Sequence, residues 1–360
     1  MSWIKSRLVI AGVLLVFIIG IHIGLDVSVT LLKYYQLYVF LPLQQIRNVI
    51  LNVVPFSVGD LLYAALIVYL LYLLGQLVFF VLTFKKNRNA LLRKGLQLSI
   101  YLLGVYLSFL LLWGVNYSRP ALTARWDIPS MEWGNEQLCT LAQDLLVQMN
   151  DSKYAGIATL DDNALNKILH KNYLARFGNC VPNLQVKATW LGSLLYYMGV
   201  QGYYNPFTGE GQFNQSIPAY MHPFVIAHEM AHQAGIAAED DANLIAYVLC
   251  RESEEPALEY SAHFNLFLYV YSELKVRDKE AARDIFEQLS EQSKQHYEEL
   301  RALNRRYRGR FRKMSNSLYN EYLRMQGQSD GLETYSYVSR WVYYWYFQKK
   351  KKDTLEVCPL

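Results

Sequence analysis

Three long apolar runs, none containing Asp, Glu, Lys or Arg, fill most of the first third of this 360-residue chain. They are Leu8 to Leu25, Leu61 to Phe84 and Leu96 to Val115. A helix needs roughly 20 apolar residues to cross the hydrocarbon core of a bilayer, and each run is long enough. The competing reading is a set of buried helices in a soluble core. Three such runs in succession favour membrane spans, and they predict a lipid bilayer as one partner. A cleaved signal peptide competes for the first run, but that run lacks a small-residue exit and two more spans follow, so an uncleaved anchor is expected.

Orientation follows from lysine and arginine. Lys5 and Arg7 precede the first span, and Lys85, Lys86, Arg88, Arg93 and Lys94 crowd the short connection between the second and third. The longer connection between the first and second carries Lys33 and Arg47. Both dense clusters are expected on the cytoplasmic side. The chain is therefore expected to be a multi-pass cell-membrane protein with a cytoplasmic N-terminus and everything after Val115 extracytoplasmic. Trp113, Tyr117 and Trp126 suit the outer interface.

Composition narrows the function classes. Charged residues make up 18% of the chain, against roughly a quarter in ordinary soluble proteins. That deficit excludes a nucleic-acid tail or a disordered chain, whereas the net charge of +4 says little about partners. Cys139, Cys180, Cys250 and Cys358 are too few for a disulfide scaffold, and none are spaced as a CxxC pair. Cys139 with Cys180 is the one pairing an exterior domain would invite, and Cys250 reads as core lining.

The expected fold class is mainly α: transmembrane helices, then a mostly helical domain with a small sheet or hairpin. The divisions are a membrane part over residues 1–118, an extracytoplasmic domain over 119–348, and a basic tail over 349–360. Helical spacing marks Glu132 to Met149 and Leu160 to Phe177, the latter opened by Asp161 and closed by Gly178. Val186 to Trp190 suits a short strand. Gly202 to Asn214 mixes turn residues with aromatics and reads as a hairpin or extended edge. From Pro223 the chain is expected to be largely helical to Gln348, with breaks at Pro256 and Gly331. The apolar stretch Leu258 to Tyr271 holds Glu259, His263 and Asn265, which favours a core helix over a fourth span.

One segment carries chemistry. In Val225 to Cys250, His228 and His232 lie four apart, so a helix puts both imidazoles on one face, able to share a metal. Glu229 between them completes H-E-x-x-H, a spacing that lets a carboxylate act as general base beside the metal without ligating it. Pro223 suits the first turn of that helix. Two buried histidines that simply satisfy each other are the plainer alternative. The apolar flank, Gly235 and the acidic residues that follow favour the metal.

Geometry constrains the third ligand. In one unbroken helix Glu239 would lie roughly 10 Å beyond His232, too far for tetrahedral closure. Gly235 can end the helix in a left-handed residue, and a second helix starting near Glu239 can run back antiparallel. That places Glu239 level with the histidines and Asn243 beside His228, where it would orient the ring. Asp240 and Asp241 would point elsewhere. Glu252 is the rival ligand, and Ala238 stands where a third histidine would.

These residues resemble a bacterial membrane family known as domain of unknown function 3810, whose members resemble zincin metallopeptidases. The likeness rests on the N-terminal spans, NPFTGEGQFN (205–214), HEMAHQAGIAAEDDAN (228–243) and DGLETYSYV (330–338). The E-x-x-x-N of Glu239 and Asn243 also resembles the E-x-x-x-D helix of gluzincins, with Asn replacing Asp. The resemblance implies a class of chemistry and no substrate.

The resulting expectation is a membrane-anchored Zn²⁺ peptidase cutting peptide bonds in a peptide or protein substrate. His228, His232 and Glu239 would hold the ion and Glu229 would act as general base. Tyr335 and Tyr337 are candidate oxyanion donors among 29 tyrosines. Glu210 and Asn214 are candidate substrate-binding residues on a segment suited to strand addition. A zinc amidase acting on cell-wall peptide, an intramembrane protease and a non-catalytic zinc scaffold are the alternatives. Pro223 and the acidic run argue against the intramembrane site, and an intact Glu229 argues against the scaffold.

Overall fold

A computed structural model describes residues 2–126, 128, 133–157, 159–178, 181–325 and 334–348. It is mostly helical, with one small sheet. Helix α1 (Ser2–Val27) contains the first apolar run, and α4 (Val58–Leu82) and α5 (Phe84–Leu112) take in all but the last two and three residues of the second and third. Each is long and apolar enough to cross a membrane. Their most apolar windows are only 6%, 6% and 11% buried, so these are not core helices, and their surfaces are consistent with a lipid bilayer. α5 packs between α1 and α4. Arg93 lies 5.7 Å over the Trp3 ring, so both basic clusters sit at one end of this bundle.

The connection between the first two spans is itself helical, with α2 (Val29–Tyr35), a π-turn at Gln36–Phe40, and α3 (Leu41–Leu51). α3 docks into the later part of the chain. Gln44 Nε2 donates to the Gly209 carbonyl at 2.7 Å and Arg47 Nη1 to that of Pro206 at 2.8 Å. Asn48 Nδ2 donates to the Asn183 carbonyl at 2.9 Å. This connection and the domain that follows α5 therefore lie at the same end of the bundle.

After α5 the chain runs through a 3₁₀ turn and the short α6 (Leu122–Arg125) into α7 (Asn135–Met149) and α8 (Asp162–Phe177). Asp161 caps α8 through the amides of Asn163 and Ala164, and Gly178 ends it with φ +64°. Then come β1 (Val186–Ala188), α9 (Gly192–Met198), β2 (Gly202–Tyr204) and β3 (Gly211–Phe213). β2 and β3 form the antiparallel hairpin read from the sequence. β1 joins β3 in parallel, giving the order β1-β3-β2 with β2 at an edge.

The helical remainder is α10 (His222–Gln233), α11 (Glu239–Arg251), α12 (Pro256–Arg277), α13 (Lys279–Glu287), α14 (Glu291–Arg306), α15 (Arg310–Met325) and α16 (Thr334–Tyr343). α10 lies across the sheet, and α11 and α12 pack behind it. α12 contains the stretch Leu258 to Tyr271, and Phe264, Phe267 and Val270 are wholly buried there: it is a core helix, as its internal polar residues required. The break expected at Gly331, Cys180 and the tail 349–360 fall on residues outside those described, but Cys139 is a free thiol, so its expected pairing with Cys180 is not formed. Cys250 is a fully buried thiol.

Candidate metal centre

α10 is buried along almost its whole length, because apolar residues before the histidines seat it against the sheet and α12. It ends at Gly235, whose φ of +87° is the left-handed turn expected there. The turn does more than reverse the chain. It returns the Ile236 carbonyl to His232, whose Nδ1–H donates to it at 2.7 Å. The Gly235 carbonyl in turn accepts Arg119 Nη1 at 2.5 Å, tying this corner to the segment that leaves α5.

α11 begins at Glu239 and runs back antiparallel. His232 faces Glu239 while His228, one turn earlier on α10, faces Asn243, one turn later on α11. His228 Nδ1–H donates to Asn243 Oδ1 at 2.9 Å. With both Nδ1 atoms engaged by oxygens that can only accept, both Nε2 atoms present lone pairs, and they face each other at 3.1 Å. Glu239 Oε2 lies 3.2 Å from His228 Nε2 and 3.8 Å from His232 Nε2. The three ligand atoms all lie within 4.8 Å of one another.

Two imidazole lone pairs and a carboxylate converging on one buried point fit a borderline cation such as zinc. The trio also favours one positive charge at this point, which a bound cation would supply in place of a proton on His232. Burial raises Glu239, but hydrogen bonds and charge from His228 and His232 outweigh it and hold the carboxyl well below its usual range. Burial lowers His228. Burial lowers His232 too, but the hydrogen bond and charge of Glu239 outweigh it and raise the ring to about 9. Glu239, the first residue of α11, also sits where the helix dipole favours negative charge.

Glu252 is not part of this group. Its side chain is exposed at the far end of α11 and pairs with Arg176 at 3.2 Å. Asp241 does point away, as the helix predicts, but it is no mere exposed cap: it is buried and its Oδ2 accepts the Leu122 amide at 2.8 Å.

Glu229 is buried beside the trio. Burial pushes its carboxyl up to about 8, and Oε2 has no hydrogen-bond partner. Room for it comes from the hairpin: a Cβ on Gly202 would lie 2.5 Å from Glu229 Oε1, and one on Gly211 would lie 3.2 Å from Glu229 Cβ. These glycines are invisible to motif reasoning, because their role depends on the sheet lying across α10.

All four residues face a cavity of about 1170 Å³. Edge strand β2 forms one wall, Trp113 and Tyr117 beyond α5 form another, and α15 roofs it. Tyr319 on α15 donates its hydroxyl to Glu239 Oε1 at 2.6 Å. Tyr319 is thus a tyrosine placed at the site. Tyr337 sits on α16, which packs on α11, and it is not among the residues lining the cavity. The side chain of Tyr335 lies outside the described residues.

The hairpin candidates are structural. Glu210 is buried, pairs with Lys187 Nζ at 2.8 Å, and accepts the Gly59 amide at 2.7 Å, so it caps the second span. Asn214 donates to the Gly192 carbonyl at 2.8 Å and accepts the Ser216 amide at 2.9 Å, fixing the turn after β3. Neither lines the cavity. A long-range ion pair and helix cap account for Glu210, and turn chemistry accounts for Asn214.

The sequence matches the family described as Protein of unknown function (DUF3810) over residues 35–343. The chain belongs to that family. The matched region takes in the second and third spans, the hairpin and the whole His-His-Glu group, so the DUF3810 unit includes membrane helices and site together. No curated protein and no solved structure matches.

Proposed function

We propose that this DUF3810 protein is a membrane-anchored, zincin-like zinc metallopeptidase of the gluzincin type. The observation that carries the reading is the convergence of His228, His232 and Glu239 next to a buried, unpartnered Glu229 oxygen in one cavity. A purely structural zinc has no use for such a carboxylate. The chemistry a zinc ion supplies when bound here is Lewis-acid activation of a peptide carbonyl and of water.

The remaining work falls to the chain. Glu229 takes a proton from the attacking water and passes it to the departing amine, a task for which its unpartnered Oε2, buried beside the trio in the cavity, is placed. Asn243 and the Ile236 carbonyl hold the two imidazoles in the ligating tautomer. Tyr319 brings a hydroxyl donor to the same point, where it can share the charge that develops on the carbonyl oxygen. Edge strand β2 offers main-chain groups along the cavity wall to an extended peptide. The basic clusters at the other end of the bundle give a cytoplasmic N-terminus and an extracytoplasmic site.

Zinc analysis and digestion of a mixed peptide library, on one preparation of each variant, test the reading. Glu229→Gln should keep the metal and abolish hydrolysis. His228→Ala, His232→Ala and Glu239→Ala should lose the metal, and Glu252→Ala should keep it. Unchanged turnover in Glu229→Gln sinks the mechanism. Cleavage of cell-wall peptide alone would redirect it to an amidase. Reporter fusions at Trp126 and Arg88 should report opposite compartments.

A further inference from the structure

The mouth of the cavity is flanked by two short helices that turn apolar residues outward. On α9, Leu194 and Tyr197 are exposed, as is Trp190 just before it. On α15, Phe311, Met314 and Leu318 form one helical stripe, exposed by 47%, 54% and 66%, and Met325 extends it. α9 and α15 pack on each other, so these surfaces form one face.

The level of that face is set by the spans. The Trp190 ring packs 5.2 Å from Phe56, two residues before α4. Tyr322 of α15 meets Phe109 of α5 at 6.4 Å, and its hydroxyl lies 3.2 Å from that of Tyr117. Both helices therefore lie at the height where the spans leave the hydrocarbon. Arg305, Arg306, Arg308, Arg310 and Lys313 flank the stripe with charge suited to anionic headgroups. A bilayer surface is the occupant that this height, apolarity and charge fit.

Phe311, Met314 and Leu318 also line the cavity. The Trp113 ring at the end of α5 is 6.1 Å from the His232 ring, about two residues of extended chain. We infer that the cavity opens onto the bilayer surface and takes polypeptide held in the same membrane, cut within a few residues of its anchor. The polypeptide part of this inference rests on the peptidase reading; the seating on lipid does not. Confinement of both partners to one thin layer raises their effective concentration, so weak recognition by sequence suffices.

The full chain is reconstituted in vesicles of phosphatidylethanolamine and phosphatidylglycerol, with its native cysteines replaced by serine. A fluorophore is placed at Leu194→Cys, Leu318→Cys or Val276→Cys. Brominated acyl chains should quench the first two, and aqueous iodide the third, where Val276 is 83% exposed on α12. Equal iodide quenching at all three overturns the seating. In parallel, the chain with its native cysteines receives a mixed peptide pool with and without a palmitoyl tail. The tailed pool should be cut at least tenfold faster. Leu194→Asp with Met325→Asp, both outside the cavity lining, should remove that advantage and leave the untailed rate unchanged. Equal rates on both pools overturn the membrane-held substrate and leave the peptidase reading standing. If neither pool is cut while Leu194 and Leu318 report lipid, the peptidase reading falls and the substrate class with it.

Discussion

His228 Nδ1–H donates to Asn243 Oδ1 at 2.9 Å, one helical turn along α11 from Glu239. The same helix thus supplies one candidate ligand and the group that orients another. Asn243→Ala should weaken zinc binding about 10–100-fold while leaving all three ligands in place. Competition with a chelator of known affinity measures this, and an unchanged affinity would show that the ring needs no such partner.

Gly202 makes a second, independent prediction. A methyl at this position would press on Glu229 Oε1. Gly202→Ala should retain zinc yet lower turnover by about two orders of magnitude, because a carboxylate displaced by about 1 Å no longer reaches its proton. Loss of zinc in this variant would mean that the hairpin shapes the ligands and not the base.

Glu210 and Lys187 form a buried ion pair at the head of the second span. Glu210→Ala leaves Lys187 uncompensated and should cost about 3–5 kcal/mol. Thermal unfolding in detergent reads this out. Replacing both residues by methionine should recover part of the loss, since the pair's own desolvation disappears with it.

Asp241→Ala should also destabilise, by about 1–3 kcal/mol, because it strips a buried partner from the Leu122 amide. The metal ligands are untouched, so zinc content per folded molecule should stay constant while the melting temperature falls.

Acid sensitivity should come in part from His263. Burial, then the charges of Arg251 and Lys153, lower its ring to about 3 from the ordinary 6.5. The unfolded chain therefore binds the proton first. The stability gained from keeping this ring neutral is complete above pH 6.5 and drains away as pH falls from there toward 3, by up to ~1.4 kcal/mol per unit. Melting curves across that range should show a slope that His263→Gln flattens; an unaltered slope would remove His263 from the account.

What could be read from the sequence follows the range of the interactions involved. The spans are legible because lipid imposes length and apolarity on each helix separately. His228, His232, Gly235, Glu239 and Asn243 are legible because two helices and one left-handed residue define their geometry within 16 positions. Tyr319 is not, since it reaches Glu239 across 80 residues from an amphipathic helix that reads as surface. Glu210 and Asn214 look like site residues only while the partners that satisfy them, the Gly59 amide and the Gly192 carbonyl, are unknown. Tyr337 fails for the same reason in reverse: helix α16 packs behind α11, away from the cavity its tyrosine was expected to serve.

The docking of α3 and of the head of α4 into the hairpin bears on how this protein is to be handled. A fragment starting at residue 119 would keep His228, His232 and Glu239, yet the Pro206 and Asn183 carbonyls would lose the donors that satisfy them, Gly209 one of its two, and Glu210 the helix end it caps. Those groups hold the strand that shapes the space around Glu229. Secretion of the isolated C-terminal portion should therefore yield aggregated or inert material, and biochemistry on this protein begins with detergent or lipid.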